Sequence, residues 1–341
     1  MLSCWGRGYP KQTPAVKCFT APVEAFSVLF VSNSRSKSLT QAIKAKALEL
    51  GFDAVGIAAA GNADPDGHFE EWLNRGYDAG MEYMARTKNE RRDPSLLVPD
   101  AKTVIALSMS YYTPESEPVQ TGKIKISRYA RFDDYHKVIR KKIRKLRKHI
   151  LTLDPQAVVH PAVDTSPVLE RHWAQEAGIA WIGKSTMAIS PRLGTYTFLA
   201  TLITNIDLIV DERHVDRCGT CTACLDACPP GAFVKPYQLD ANRCITYWNV
   251  EHRKEFTEKT PDFNNWVAGC DICQEVCPWN KFSKETNEPR FTPKESMVHL
   301  DLVKIAQNKA YVTELIQGTP LQRTGADAIQ QSLKHIQTED S

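Results

Sequence analysis

The chain has 341 residues, of which 42% are hydrophobic and 24% are charged, and its formal net charge is only +3. This composition predicts an ordinary globular core in about two domains and excludes a strongly basic protein that binds nucleic acid over its whole surface. No apolar run approaches the roughly 18 residues that a membrane-spanning helix requires.

The N-terminal segment, residues 1–38, is rich in Ser, Lys and Arg and contains a single acidic residue. Such a segment is typical of a transit-type peptide, or of a disordered leader that follows an upstream start codon. We favour the leader, because organised patterning begins only at about Ser38. Ser38 is suited to cap a helix, Ile43 and Ala47 recur at helical spacing, and Gly51 stands where a helix commonly ends.

The next elements are predicted from short apolar runs and from one long amphipathic run. Strands are predicted at residues 52–60, 103–110, 158–163 and 197–205, and helices at residues 134–151 and 168–177. Residues 61–100 mix helix and loop, residues 114–123 are predicted to form a surface loop, and the tail after residue 286 is mostly helical. This order predicts an α+β first domain followed by a small metal-cluster domain.

The predicted helix at residues 134–151 is apolar on one face and strongly basic on the remainder. Its Lys and Arg residues follow one another without an intervening acid. Phosphate contacts supply most of the non-specific affinity of proteins for nucleic acid, whereas a run of like charges is usually only a solvated face. Both interpretations stay open, and Lys141, Lys142 and Lys145 are the candidates for RNA contact.

Eight of the ten cysteines fall between residues 218 and 277. The first four have the spacing C-x2-C-x2-C-x3-C followed by proline, which is the run found in bacterial two-cluster ferredoxins. The last three have the spacing C-x2-C-x3-C followed by proline and lack one member, which the lone cysteine between the sets can supply. In chain order the eight are Cys218, Cys221, Cys224, Cys228, Cys244, Cys270, Cys273 and Cys277.

The cysteine spacing also assigns ligands to two [4Fe-4S] clusters. Each cluster needs four thiolates, and the fourth cysteine of the bacterial run ligates the other cluster. Cluster one then takes Cys218, Cys221, Cys224 and Cys277, and cluster two takes Cys228, Cys244, Cys270 and Cys273. Zinc binds C-x2-C pairs as well, but zinc ribbons use separated pairs, and disulfides are typical of small secreted domains. The sequence therefore favours two iron–sulfur clusters.

Asp164 stands at the end of a predicted strand and just before a predicted helix. From the residues alone, an Asp in this place is most often a helix N-cap. A carboxyl at a strand end can also project into a cleft and act as a general acid, which near neutral pH requires a raised pKa. The sequence leaves these two roles open.

Three segments that precede the cysteines, taken together with them, resemble the epoxyqueuosine reductase family. They are SRYARFDDYH at residues 127–136, VDTSPVLER at residues 163–171 and AGIAWIGK at residues 177–184. The resemblance runs from about residue 40 to about residue 330. It implies a first domain that binds cobalamin, with a core related to that of reductive dehalogenases.

The resemblance also implies the form in which cobalamin is bound. Cobalamin is expected base-off, with no protein ligand below the cobalt. We accordingly interpret His136 as a residue of the helix start, because the D-x-H-x-x-G pattern of histidine-ligated cobalamin proteins lacks its glycine here.

The implied reaction is the reduction of epoxyqueuosine to queuosine at the wobble position of the tRNA anticodon, with the epoxide oxygen leaving as water. Electrons would pass through the two clusters to cobalamin. The resemblance further implies that Asp164 is the proton donor and that Arg91, Ser127 and Asp164 contact cobalamin. We expect a cytoplasmic monomer without a membrane partner that receives electrons from a reductase, a flavodoxin or a ferredoxin.

The predicted organisation has four parts, and two other functions compete with the implied one. The parts are a leader at residues 1–38, a cobalamin-binding catalytic domain at 39–208, a ferredoxin-type domain at 209–285 and a helical tail at 286–341. One competing function is a corrinoid iron–sulfur reductase that acts on a small molecule, as dehalogenases do, although no twin-arginine export signal is visible. The other is a plain two-cluster electron carrier, which predicts no cobalt and no need for Asp164.

Overall fold

The computed structural model describes residues 23–114 and 124–339. Its helices are α1 (Val23–Glu49), α2 (His68–Asn74), α3 (Glu82–Arg86), α4 (Lys88–Arg92), α5 (Tyr135–Leu153), α6 (Glu170–Glu176), α7 (Ala223–Asp226), α8 (Ile272–Glu275), α9 (Glu295–Val298), α10 (Leu302–Gln307), α11 (Lys309–Leu315) and α12 (Ala326–Glu339). Its strands are β1 (Ala54–Ala59), β2 (Thr103–Ser110), β3 (Lys125–Ile126), β4 (Val159–Ala162), β5 (Trp181–Ile182), β6 (Ala188–Ile189), β7 (Thr197–Thr204), β8 (Phe233–Lys235), β9 (Gln238–Leu239) and β10 (Trp266–Ala268). Short 3-10 turns lie at Pro94–Leu96, Arg128–Ala130, Pro278–Phe282, Pro289–Phe291 and Pro320–Gln322, and a π-helical turn lies at Tyr247–Glu251.

Four strands form an antiparallel sheet in the order β1-β2-β7-β4. Every residue of β2 is buried, which explains its unbroken apolar sequence. Because side chains alternate between the two faces of a strand, Ile105 packs in the core shared with α1 and α5, whereas Val104 packs in the core shared with α6. The sheet therefore separates two hydrophobic cores.

Helix α5 is fixed to the sheet by its apolar stripe. Ile139, Ile143 and Leu146 are at most 2% exposed, and burying side chains of this size stabilises the fold by about 1.5–3 kcal/mol each. The helix begins after Asp134, whose carboxylate accepts a hydrogen bond from the backbone N–H of His136 at 3.0 Å. The core and this cap together set the position of the first turn of α5.

The C-terminal tail packs on the same core as part of the cysteine segment. Strand β10 pairs in parallel with β3. Ile126 of β3, Trp266 of β10, Val312 of α11 and Ile329 of α12 lie in one hydrophobic cluster. The packing thus joins residues from both sides of the expected domain boundaries, and the boundaries at 208/209 and 285/286 stay predictions.

The first helix differs from the prediction. Helix α1 begins at Val23, so the expected start at Ser38 and the expected disorder are wrong over residues 23–38. The physical reason is that no proline or glycine interrupts the chain between Pro22 and Gly51. Residues 1–22 of the predicted leader lie outside the described residues.

The other predicted elements agree with the structure in kind and place. Gly51, with a φ of 86°, follows the end of α1, and the predicted strand at 103–110 is β2. Of the predicted loop at residues 114–123, only residue 114 lies within the described residues. No helix in the described ranges is long and apolar enough to cross a membrane.

Candidate functional site

Asp164 lies in the loop between β4 and α6 and does not cap α6. That helix begins six residues later at Glu170, after Leu169, and has no side-chain cap. The helix-cap interpretation of Asp164 is therefore wrong. Asp164 has a φ of 55°, a left-handed conformation that is rare for residues other than Gly but is tolerated by Asp and Asn. Its side chain is 54% exposed and so is open to solvent on one side.

Two side chains from the first turn of α5 hold the Asp164 carboxylate. The Tyr135 hydroxyl donates to Oδ2 of Asp164 at 2.8 Å, and Nε2 of His136 lies 2.7 Å from the same oxygen. The other ring nitrogen of His136, Nδ1, lies 2.7 Å from Oδ1 of Asp134. An imidazole between two carboxylates can donate from both nitrogens only when it is protonated.

The proton of this group is held on His136. Burial alone would lower the pKa of His136, but hydrogen bonds to Asp134 and Asp164 outweigh burial and raise it to about 9. Burial raises the pKa of Asp164, yet hydrogen bonds from His136 and Tyr135 outweigh that effect and leave the pKa below its ordinary value. Without a cofactor, the pKa of Asp164 is thus lowered and its carboxylate is ionised beside an imidazolium, and the raised pKa expected from burial against a corrinoid stays a prediction.

Glu170, at the first turn of α6, has the raised carboxyl pKa instead. Burial and the neighbouring Asp164 charge raise the pKa of Glu170 to about 8. Its Oε1 accepts a hydrogen bond from the backbone N–H of Asp164 at 3.0 Å and so fixes the loop. Near neutral pH, both neighbours of Asp164, His136 and Glu170, therefore carry a proton.

Arg91, expected to contact cobalamin, is placed by the structure near Asp164. It is only 8% exposed, and its guanidinium carbon lies 6.0 Å from the centre of the Tyr83 ring. Burial lowers the pKa of Arg91, while the charges of Tyr83, Glu170 and Asp164 oppose that change. The cation therefore lies within electrostatic reach of the two carboxyl groups of the site.

The tail contributes a second cation to the same region. Arg323 follows the turn at Pro320–Gln322 and forms an ion pair with Glu251. Burial raises the pKa of Asp164, and the hydrogen bonds from His136 and Tyr135 lower it. The positive charge of Arg323 adds a smaller effect that also lowers it. The site is thus built from α4, α5, the loop before α6 and the C-terminal tail.

Ser127 does not join this group through its side chain. It is 1% exposed, and its hydroxyl donates to Oδ1 of Asp271 at 2.8 Å. Asp271 stands between Cys270 and Cys273, so the bond ties the first segment to the cysteine loop. The donor of the hydroxyl is thus used within the protein, and the cobalamin contact expected of Ser127 stays a prediction.

The three lysines expected to contact RNA differ in their surroundings. Lys142 forms an ion pair with Glu288 at 2.9 Å, and its Nζ also donates to the carbonyl of Leu50 at 2.8 Å. It therefore holds α5 to its neighbours, and its contact with RNA stays a prediction. Lys141 and Lys145 are exposed and lie four residues apart, on one face of α5.

The eight cysteines between residues 218 and 277 fall into two sets of neighbouring sulfurs. Besides burial, the charges of Cys218, Cys221 and Cys224 each contribute to raising the pKa of the Cys277 thiol, so these four sulfurs are neighbours. In the other set, besides burial, the charges of Cys228, Cys244 and Cys270 each contribute to raising the pKa of the Cys273 thiol. These are the two ligand sets that the spacing assigns.

Each set supplies the four thiolates that one [4Fe-4S] cluster requires. All eight cysteines are free of disulfides. Within the described part of the chain, no group of three or more His, Cys, Asp or Glu side chains is arranged to hold a metal ion. The ligands of a four-iron cubane stand farther apart than those of one ion, because each binds a different iron atom.

The pH dependence of stability tests the His136 contacts. Because the folded pKa is raised, the stabilisation from His136 is fully present below about 6.5 and is lost as the pH rises through about 9. We expect the melting temperature of the unaltered protein to fall more over that interval than that of His136→Gln. His149→Gln, about 20 Å farther along the same helix, is the matched control. Identical pH profiles for the unaltered protein and His136→Gln would contradict the assignment.

Comparison with known proteins identifies relatives of both halves of the site. A family model described as epoxyqueuosine reductase QueG, DUF1730, matches residues 91–165, which include Arg91, His136 and Asp164. A model described as a 4Fe-4S double cluster binding domain matches residues 217–280, which include all eight cysteines.

Relatives that cover about three quarters or more of the chain are described as epoxyqueuosine reductases. An epoxyqueuosine reductase from Cellulophaga algicola is 41% identical over 260 residues, covering 76% of this chain and 84% of the relative. The epoxyqueuosine reductase from Escherichia coli is 35% identical over 297 residues, covering 84% of this chain and 77% of the relative. A crystal structure of epoxyqueuosine reductase with a tRNA-Tyr epoxyqueuosine-modified stem loop superposes with a TM-score of 0.78 at 28% identity, covering 88% of this chain and 80% of that one.

Proposed function

Because this chain belongs to the epoxyqueuosine reductase family, we propose that it reduces epoxyqueuosine to queuosine at the wobble position of tRNA anticodons. The observation that carries the proposal is the Asp164 carboxylate, 2.7 Å from a histidine that holds a proton. Two further findings support it: the paired cysteine sets, and the solved relative bound to an epoxyqueuosine-modified stem loop.

The reaction requires both electrons and protons. Both carbon–oxygen bonds of the epoxide break, a carbon–carbon double bond forms, and the oxygen leaves as water after the uptake of two electrons and two protons. Two [4Fe-4S] clusters and a base-off cobalamin, when bound, would supply the electron-transfer chemistry. The protein's own task is to bind the substrate, orient it and deliver the protons.

Asp164 and His136 form the proton-delivery group in this proposal. Nε2 of His136, which holds a proton, lies 2.7 Å from Oδ2 of Asp164, so the Asp164 carboxylate can take up this proton and pass it to the leaving oxygen. Glu170 is a second proton-bearing group next to the same loop. Two protonated neighbours of Asp164 match the two protons that the reaction consumes.

Arg91 and His136 are the residues whose surroundings bear on cobalamin. Both ring nitrogens of His136 already have carboxylate partners, which fits cobalamin without a histidine below the cobalt. Arg91, buried beside Tyr83 and near Asp164, would hold a polar group of the corrinoid edge. Asp164 would face the corrinoid from the loop that Glu170 fixes.

The exposed basic face of α5 supports RNA binding close to this site. It starts at Lys137, directly after His136, and continues through Lys141, Lys145 and Lys148 at three- and four-residue intervals. A substrate base must leave its stack to enter an active site, while the phosphates around it are held by cations. The exposed lysines therefore support binding of the anticodon arm to this face of α5.

Charge reversal on this face tests the RNA contact. We expect Lys141→Glu/Lys145→Glu to weaken stem-loop binding. The slope of log affinity against log salt concentration should become shallower by about one for every phosphate that the variant no longer neutralises. Lys254→Glu/Lys259→Glu makes the same change in net charge at two other exposed lysines and serves as the control. Equal affinities and salt slopes for the two double variants would rule out a specific role for α5.

The proposed activity can be tested in cells. The chain would be expressed in a bacterium that lacks its own epoxyqueuosine reductase, and the tRNA would be digested to nucleosides for mass spectrometry. We expect queuosine to replace epoxyqueuosine. Persistence of epoxyqueuosine, with soluble iron-loaded protein in the same cells, would contradict the proposal and favour a small-molecule substrate or a plain electron carrier.

A further inference from the structure

The segment AGIAWIGK at residues 177–184 contributes no residue to the proton-delivery group, and its second half packs against the loop of cluster one. A Cβ built on Gly183 would lie 3.4 Å from Sγ of Cys218. Nζ of Lys184 donates to the carbonyls of Gly219 and Cys221 at 2.6 and 2.9 Å. This segment therefore shapes the backbone that carries two ligands of cluster one.

Trp181, at the centre of this segment, is 0% exposed. Its ring lies 4.7 Å from that of Trp279, nearly edge-on, and Trp279 stands two residues after Cys277. Its other neighbour is the His214 ring at 5.1 Å. The indole is thus enclosed between the two chain segments that bring ligands to cluster one.

The indole N–H of Trp181 is buried, and no described residue accepts it with full hydrogen-bond geometry. Sγ of Cys218 lies 3.4 Å from the Cβ position of Gly183, which is two residues after Trp181, so cluster one can supply an acceptor on this side of the indole. A buried donor without an acceptor costs about 1–3 kcal/mol. A cluster sulfur that becomes more negative on reduction is an acceptor that would remove this cost.

From these contacts we infer that Trp181 donates a hydrogen bond to the Cys218 side of cluster one and raises the reduction potential of that cluster. The inference rests on the ligand assignment of the proposed function. Hydrogen bonds to the sulfurs stabilise the reduced, more negative cluster, and they are among the main determinants of its potential. A backbone donor of this kind is found at cluster two, where the N of Ala232 lies 3.4 Å from Sγ of Cys228.

A hydrogen bond from Trp181 would act on cluster one only. A higher potential at cluster one makes it the better acceptor of electrons, whereas removing the indole N–H brings its potential down. Trp181 is therefore a positioning residue, which acts on electron transfer through Cys218 and does not touch the substrate.

The experiment is a potentiometric titration of the iron-loaded holoprotein, followed by electron paramagnetic resonance. We expect Trp181→Phe to lower the midpoint potential of one cluster and leave the other unchanged, with the reduction equilibrium shifted by about tenfold, or ~59 mV for one electron. Trp173→Phe, which removes another buried indole from the adjoining core, is the matched control. It should leave both midpoint potentials in place.

A second variant keeps the test decisive if Trp181→Phe binds less iron. It carries 3-benzothienylalanine at position 181, which has the shape of Trp but no N–H, and it should show the same shift. Unchanged midpoint potentials in an iron-replete variant of either kind would overturn the inference. Absence of iron from the unaltered protein is a different outcome, because it would overturn the cluster assignment itself.

Discussion

Replacing Asp164 with Asn lowers the rate of epoxide reduction by about 10²–10⁴-fold, the contribution typical of one positioned proton-transfer group. The substitution is mild for the fold, because Asn tolerates the φ of 55° at this position. The amide oxygen can still accept from Tyr135, but it cannot take a proton from His136 and pass it on. The rate is measured in a single turnover with epoxyqueuosine-modified stem loop.

The matched control for this substitution is Asp133→Asn. Asp133 lies just before α5 and pairs with Lys294 at 3.5 Å, so the variant removes a nearby carboxylate without touching Asp164. We expect it to retain the rate, and both variants to keep their iron. A full rate in Asp164→Asn would show that the proton comes from another group and would remove Asp164 from the chemistry.

Each single cysteine substitution should remove one cluster. Which cluster is lost should depend on the set of neighbouring sulfurs to which the cysteine belongs, and not on its order in the chain. Cys228→Ser and Cys273→Ser should lose the same cluster, although Cys228 stands in the first run, while Cys224→Ser should lose the other one. Each variant should retain about half of the iron of two four-iron clusters. We expect epoxide reduction to fall below detection in all three, because the electron path is broken.

Iron content and electron paramagnetic resonance spectra check this assignment. Cys18→Ser is the control, because this cysteine lies outside the eight-residue set, and it should keep all the iron and the full rate. If Cys228→Ser lost the same cluster signal as Cys224→Ser, the exchange of the fourth cysteine between clusters would be refuted.

The cysteines were predictable from sequence because their meaning lies in local spacing. The distances between Cys218 and Cys228 along the chain already fix which sulfurs can share a cluster. Most buried elements were predictable for the same reason, since the apolar run of β2 and the stripe of α5 are visible within a few residues.

The proton-delivery group was not predictable in the same way. His136 and Asp164 are 28 residues apart, and only the packing of α5 against the sheet brings Nε2 within 2.7 Å of Oδ2. The raised pKa of Asp164 was expected from burial against a corrinoid, whereas in the protein without cofactor its hydrogen-bond partners lower the pKa. The only sequence signals were the Asp-Tyr-His triplet before the helix and Glu170 six residues after Asp164.

Lys142 shows how a charge pattern hides individual roles. Along the sequence it is indistinguishable from Lys141 and Lys145, because all three belong to one basic run. Its ion pair with Glu288 depends on a segment almost 150 residues away, so no local pattern predicts it. The start of α1 was missed for a related reason: the absence of helix breakers was a weaker signal than the unusual composition.

The most direct test of the proposed activity is turnover by purified protein under strictly anaerobic conditions, after loading with iron, sulfide and cobalamin. The substrate is a stem loop that carries epoxyqueuosine, and the products are separated as nucleosides by mass spectrometry. We predict queuosine in the presence of a low-potential reductant, and none when cobalamin is left out. Unchanged epoxyqueuosine with fully loaded protein, or equal turnover without cobalamin, would contradict the proposed function.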